Sequence, residues 1–99
     1  SSKKSKSPLE KVEACLDLQK RLRAFCIRGF LMELLIYGPP TLEYKEAIDF
    51  CELSALPEEE RGECFKKIVW YLNMIYPRQK VQEICLEVDV KNRALCAPN

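Results

Sequence analysis

Histidine is absent from all 99 residues of the chain. That absence removes the commonest general base, the paired Ser/His and Cys/His nucleophiles, and every zinc site built on imidazole. A dominant charge sign is missing too. Sixteen Lys and Arg stand against fifteen Asp and Glu for a net charge of +1, so the chain lacks the global basic field of a dedicated nucleic-acid binder. No apolar run approaches the ~20 residues needed to span a bilayer. No two cysteines lie closer than eleven positions, which excludes the Cys-x-x-Cys spacing of zinc knuckles. Asn73, Asn92 and Asn99 are not followed by the Ser or Thr of a glycosylation acceptor. Hydroxyl nucleophiles are poorly placed: the serines sit in the N-terminal tail or at Ser54, and Thr41 is the one threonine. Carboxylate pairs such as Asp49/Glu52 and Glu87/Asp89 read as solvated helix faces. The expectation is a non-enzyme that holds no metal and no cofactor.

What the chain does have is six cysteines, an even number, in a length that fits one domain and gives a single core only marginal stability. Small secreted domains commonly offset that deficit with disulfides, so three bonds and a secreted, extracellular protein are expected. Ser1–Pro8 is polar and basic, without the apolar centre of a signal peptide, so a secreted protein would be represented here in mature form. Residues 1–7, with Lys3, Lys4 and Lys6, read as a disordered basic tail suited to solubility or weak attraction to an anionic surface such as lipid or polysaccharide. Residues 8–97 form the helical, disulfide-rich domain.

Ser7-Pro8-Leu9-Glu10 is a helix start: Ser as N-cap, Pro at the first helical position, and Glu three residues after the Ser. From there Val12, Cys15, Leu18, Leu22, Cys26 and Phe30 recur at steps of three and four, predicting one long helix to about Tyr37, with a kink at Gly29. Gly38-Pro39-Pro40 ends it, and Thr41 is placed to cap a second helix that stops near Ser54. Pro57 and Glu58–Glu60 open a third, their carboxylates favoured by the macrodipole, with Cys64, Phe65, Ile68, Leu72 and Ile75 on its inner face. After Pro77 a fourth helix is outlined over about 78–96. The predicted fold class is all-α, a four-helix disulfide-stapled single domain running up-down-up-down, with helices 1 and 4 antiparallel.

The cysteine spacing leads to a specific pairing on that frame. Cys15 and Cys26 are eleven residues apart, as are Cys85 and Cys96. On a continuous helix that step puts both sulfurs on one face about 16.5 Å apart, too far to bond to each other. Two such helices side by side can bond in two rungs. The antiparallel solution is Cys15–Cys96 with Cys26–Cys85, leaving Cys51–Cys64 to close the middle hairpin. Parallel helices fit the spacing as well, as does pairing across the chains of a homodimer; short-loop connectivity selects the antiparallel option. The segments from Cys15 to Cys26 and from Cys85 to Cys96 also share Cys, Leu, Arg, Ala and Cys at matching positions. Two copies about a local two-fold axis, or equal structural demands, would each produce that likeness.

Function has to be sought in surplus apolar surface. Residues 29–37 carry one charge and residues 68–76 none, whereas a surface helix needs a polar face over about half its circumference. Both segments serve as core, yet a domain this small has few fully surrounded positions. The first functional expectation is therefore a carrier of a hydrophobic small molecule or lipid, in a pocket lined by Phe30, Leu34, Ile68, Trp70, Leu72 and Ile75. The second is a secreted effector, a toxin, inhibitor or signalling ligand, that binds an extracellular protein target through an exposed aromatic patch. Membrane disruption is a third.

The stretch Leu34-Leu35 before Pro39-Pro40, Tyr44-Lys-Glu-Ala47 leading to Phe50, and Phe65-Lys66-Lys67-Ile68-Val69 before the turn at Pro77 resembles the secretoglobin (uteroglobin) family over about half the chain. The resemblance implies a small secreted four-helix protein that dimerises and encloses an apolar ligand. The chain departs from the family in its six cysteines, where one near each end is usual, and in its basic tail.

Overall fold

The computed structural model describes residues 7–96, and all regular secondary structure among them is helical. The predicted tail therefore lies outside the described residues, apart from Ser7. Ser7 caps α1 (Pro8–Leu16) through the expected reciprocal pair: its Oγ accepts from the Glu10 N–H, and Glu10 Oε1 accepts from the Ser7 N–H at 2.8 Å. The remaining elements are α2 (Lys20–Tyr37), α3 (Glu43–Cys51), α4 (Glu58–Ile75), α5 (Arg78–Cys85) and a 3-10 helix over Val90–Cys96. Prolines place two of these starts: Pro57 and Pro77 are the N-caps of α4 and α5. Thr41 does not cap α3. It turns the chain with φ 67°, and Leu42 takes the N-cap position without a side-chain bond. The same turn needs glycine at 38, since a Cβ there would lie 2.6 Å from the Leu34 carbonyl oxygen and 2.9 Å from Glu43 Cβ.

Six helical segments replace the expected four, because the predicted first and fourth helices each break in two. The first breaks at Asp17–Gln19 and the last at Leu86–Asp89. Gly29 introduces no break; α2 runs through it. Each break folds the chain back on itself, and this overturns the predicted pairing of Cys15–Cys96 and Cys26–Cys85. The bonds are Cys15–Cys26, Cys51–Cys64 and Cys85–Cys96, with Cα separations of 5.5, 5.7 and 5.5 Å. The middle bond is the one predicted. Nested pairing requires uninterrupted helices; a turn between the two cysteines brings them within bonding reach.

The three hairpins share a second device. An arginine three residues before the second cysteine donates to carbonyls of the intervening turn. Arg23 Nε donates to the Leu18 carbonyl at 3.3 Å, Arg61 to Leu53 and Leu56 at 3.0 and 2.8 Å, and Arg93 to Leu86 and Val88 at 3.2 Å each. A turn between two helices leaves carbonyls without helix partners, and a planar guanidinium can serve two of them. The likeness of the two terminal Cys segments thus reflects one local design, which the middle hairpin repeats with two more residues.

The core is assembled around α2 and α4, the two 18-residue helices. α1 folds antiparallel on α2: Cys15 bonds Cys26, and further along Lys11 meets Glu33 at 3.5 Å. α3 lies antiparallel to α4, fixed by Cys51–Cys64 at one end and by Glu43 against Tyr71 at the other. α4 also packs on α5 and the 3-10 helix. Leu31, Leu35, Phe50, Phe65, Ile68, Leu72, Val81 and Ile84 are buried at the centre. The shortest dimension, 21 Å, is about two helix layers, so each central helix keeps one side in solvent.

Candidate binding surface

α2 and α4 run side by side in the same direction. Lys20 pairs with Glu59 at 3.3 Å near their starts, and Arg28 shares a shallow cleft with Lys67 and Trp70 about two turns further on. The middle of the seam between them is closed, with about 10 Å³ left among Ala24, Ile27, Leu31, Glu60, Cys64 and Lys67. That is the least space that holds one water. Nearer the helix starts an open cleft of about 520 Å³ is lined by Lys20, Arg21, Ala24, Glu59, Glu60 and Glu63.

Beside the seam, apolar side chains stay in solvent. Trp70 is 49% exposed and Met74, one turn on, 59%. On α2, Phe25 is 67% and Ile36 61% exposed. Arg21, Phe25, Arg28, Met32 and Ile36 follow one another at steps of four, three, four and four, a single stripe along the helix. The cations lie on the rings: Lys67 Nζ is 3.8 Å from the Trp70 centroid, and the Arg28 guanidinium carbon 5.6 Å from that of Phe25. Such contacts hold the lysine and arginine heads close to apolar surface while leaving them in water.

The six residues expected to line one pocket are divided by the fold. Ile68 and Leu72 are fully buried in the core, while Trp70 and Ile75 are exposed on α4. Phe30 and Leu34 line an open cleft of about 460 Å³ on the other flank of α2, together with Lys11, Glu33, Tyr37, Gly38, Pro39 and Glu46. Helical phase separates them: along α4, Ile68 and Leu72 turn inward and Trp70 outward. Sequence reasoning missed Phe25 and the basic residues beside Trp70. The signal available was the spacing of Arg21, Phe25, Arg28, Met32 and Ile36, which the apolar periodicity of the opposite face obscured.

A third constellation lies between α3 and α4. Glu43 is 5% exposed, and its Oε2 accepts from the Tyr71 and Tyr76 hydroxyls at 2.9 and 2.8 Å. Its Oε1 is buried without a hydrogen-bond partner among the described residues. Burial pushes both phenols above their ordinary range, and the adjacent carboxylate pushes them further by accepting from the protonated form. Tyr76 also meets Tyr44 edge to face at 6.1 Å. Nothing in this group reaches a reacting partner, and it reads as a polar lock between two helices. Among the described residues no three His, Cys, Asp or Glu side chains converge to hold a metal, and no helix is long and apolar enough to cross a membrane. Compared with protein-family models, curated proteins and solved structures, the chain matches none of them.

Proposed function

We propose that this is a secreted, non-enzymatic binding protein that acts through the exposed face of α2 and α4. The observation that carries the reading is the exposure of Trp70 and Met74 beside the closed middle of the α2–α4 seam. Aromatic and Met side chains left in solvent on a helix pair are the composition of a recognition surface, because a ring orders at little entropic cost and a thioether adapts to the shape it meets. All six cysteines are paired, which suits an oxidising, extracellular setting. The test is site-specific photo-cross-linking in extracellular fluid from the source tissue. A cross-linker at position 70 or 74 should label a partner, protein or lipid, in a product that unlabelled protein displaces and W70A/M74A does not. Equal labelling from position 49, on α3, would count against the reading.

A carrier function is the second reading, and the open cleft at Phe30 and Leu34 favours a version of it. Its volume, about 460 Å³, is within the range of small-molecule sites. Its wall carries Glu33, paired with Lys11, and Glu46, so it suits an amphipathic ligand with a polar head better than a sterol. Displacement of such a ligand by F30A/L34A, with W70A/M74A unaffected, would select it.

A further inference from the structure

The charge pattern around the α2–α4 face is sharper than the balanced total suggests. Residues 18–32 contain Lys20, Arg21, Arg23 and Arg28 and no acidic residue; residues 64–82 contain Lys66, Lys67, Arg78 and Lys80 and again none. All fifteen carboxylates lie elsewhere in the chain. α2 and α4 bring these segments together only in part: Lys20 and Arg21, near the start of α2, lie beside Glu59, Glu60 and Glu63, and from Arg28 and Lys67 onward the two segments face the same side. Glu63 is the carboxylate in the shallow cleft beside Trp70; Lys66 meets it at 3.5 Å, and Arg28 and Lys67 line the same cleft. Charge of both signs is mixed at the start of the face, and beyond Glu63 it carries Arg28 and Lys67 beside Phe25, Trp70 and Met74 in solvent.

The geometry points to the surface of an anionic phospholipid bilayer as the partner of this face. The inference rests on the surface reading given above and names its partner. Two features favour a bilayer over a protein. A protein interface gathers its apolar residues in a centre and its polar residues in a rim. Here Arg21, Phe25, Arg28, the half-buried Met32 and Ile36 lie along one line, with cations and apolar side chains interspersed over its first half, and it spans about 22 Å at 1.5 Å per residue. A flat surface pressed on that line meets rings and cations at the same depth. Secondly, Arg28 and Lys67 lie over the rings of Phe25 and Trp70, so each ring enters the boundary between headgroups and acyl chains with a cation beside it at phosphate level. The helices lie flat in this arrangement and do not cross the bilayer.

Vesicle flotation of the full chain tests this, with Trp70, the single tryptophan, as reporter. The probes are vesicles of phosphatidylcholine alone and with 40% phosphatidylserine, at low and high salt. The expected result is binding to the anionic vesicles only, with a blue shift of Trp70 emission, quenching by brominated acyl chains and release at high salt. R28E/K67E should weaken binding by at least about tenfold, since each basic residue near an anionic surface contributes on that scale. K66E serves as a second charge variant, and far-UV circular dichroism checks that each variant is folded. Failure to float with anionic vesicles, or equal binding to neutral ones, overturns the bilayer assignment; a specific cross-linked protein from position 70 would then leave the surface reading standing. Vesicle binding that W70A/M74A retains in full overturns both.

Discussion

Two phenols and a carboxylate meet between α3 and α4, and their titration reaches the stability of the molecule. Tyr71 and Tyr76 hold their protons more tightly in the folded chain than the ordinary value of 10.0 allows. Below that value both states are protonated and the stabilisation is complete. As pH rises through and beyond about 10, the unfolded chain loses its phenolic protons first, binds fewer protons than the folded one, and stability falls. Urea midpoints should therefore be level from neutral pH to about pH 9 and decline above about pH 10. Absorbance near 295 nm should show two tyrosines that ionise only with unfolding. E43Q keeps an acceptor for the hydroxyls while removing the charge, so it should lessen the alkaline decline, and burial of the phenols should sustain the remainder. E43A leaves two largely enclosed hydroxyls without an acceptor and should cost about 2–3 kcal/mol.

Among the elements, the hairpin is the repeating unit, and Arg61 shows how it is fastened. Its guanidinium bridges the Leu53 and Leu56 carbonyls in the turn that Cys51–Cys64 closes. R61A should cost about 2 kcal/mol by leaving those carbonyls unpaired, measured as a shift in the denaturant midpoint at unchanged slope. R61K, a single point donor on a flexible stem, should recover only part of it. The element boundaries marked by local chemistry were legible in the sequence: the Ser7 capping box, the Gly38-Pro39-Pro40 stop, and the starts at Pro57 and Pro77. The breaks at Asp17–Gln19 and Leu86–Asp89 were not. No Gly or Pro marks either, and Leu18 and Leu22 continue the apolar rhythm across the first although both stay substantially exposed. Those turns are held by the arginine bridge and the disulfide, side-chain bonds across 5 to 11 residues that apolar periodicity does not register.

At the scale of the whole molecule, the surplus apolar content of residues 29–37 and 68–76 was visible in the sequence, and its division between core and surface was not. Ile68 and Trp70 are two residues apart, yet one is buried and the other half exposed. Which phase faces inward depends on α2 and α3 both packing on α4, and that follows from the path of the chain. The path in turn depends on disulfide connectivity. Trypsin has cleavage sites between the cysteines of each pair, at Lys20, Arg61 and Lys91 among others. Mass spectrometry of the non-reduced digest should recover linked peptides joining Cys15 to Cys26, Cys51 to Cys64 and Cys85 to Cys96. Each bond closes a short loop and should contribute about 2–3 kcal/mol, so C85S/C96S is expected to remain folded with a lowered Tm. A peptide linking Cys15 to Cys96 would require a different chain path.

The surface reading is tested most directly by oxidative footprinting of the intact protein with and without anionic vesicles. Trp70, Met74 and Met32, the readily oxidised side chains, all belong to α2 and α4. The account predicts that vesicles protect Trp70 and Met74 strongly and leave Phe30 and Tyr37, at the cleft on the other flank of α2, as reactive as before. Protection of Phe30 and Tyr37 with Trp70 and Met74 unchanged would contradict it.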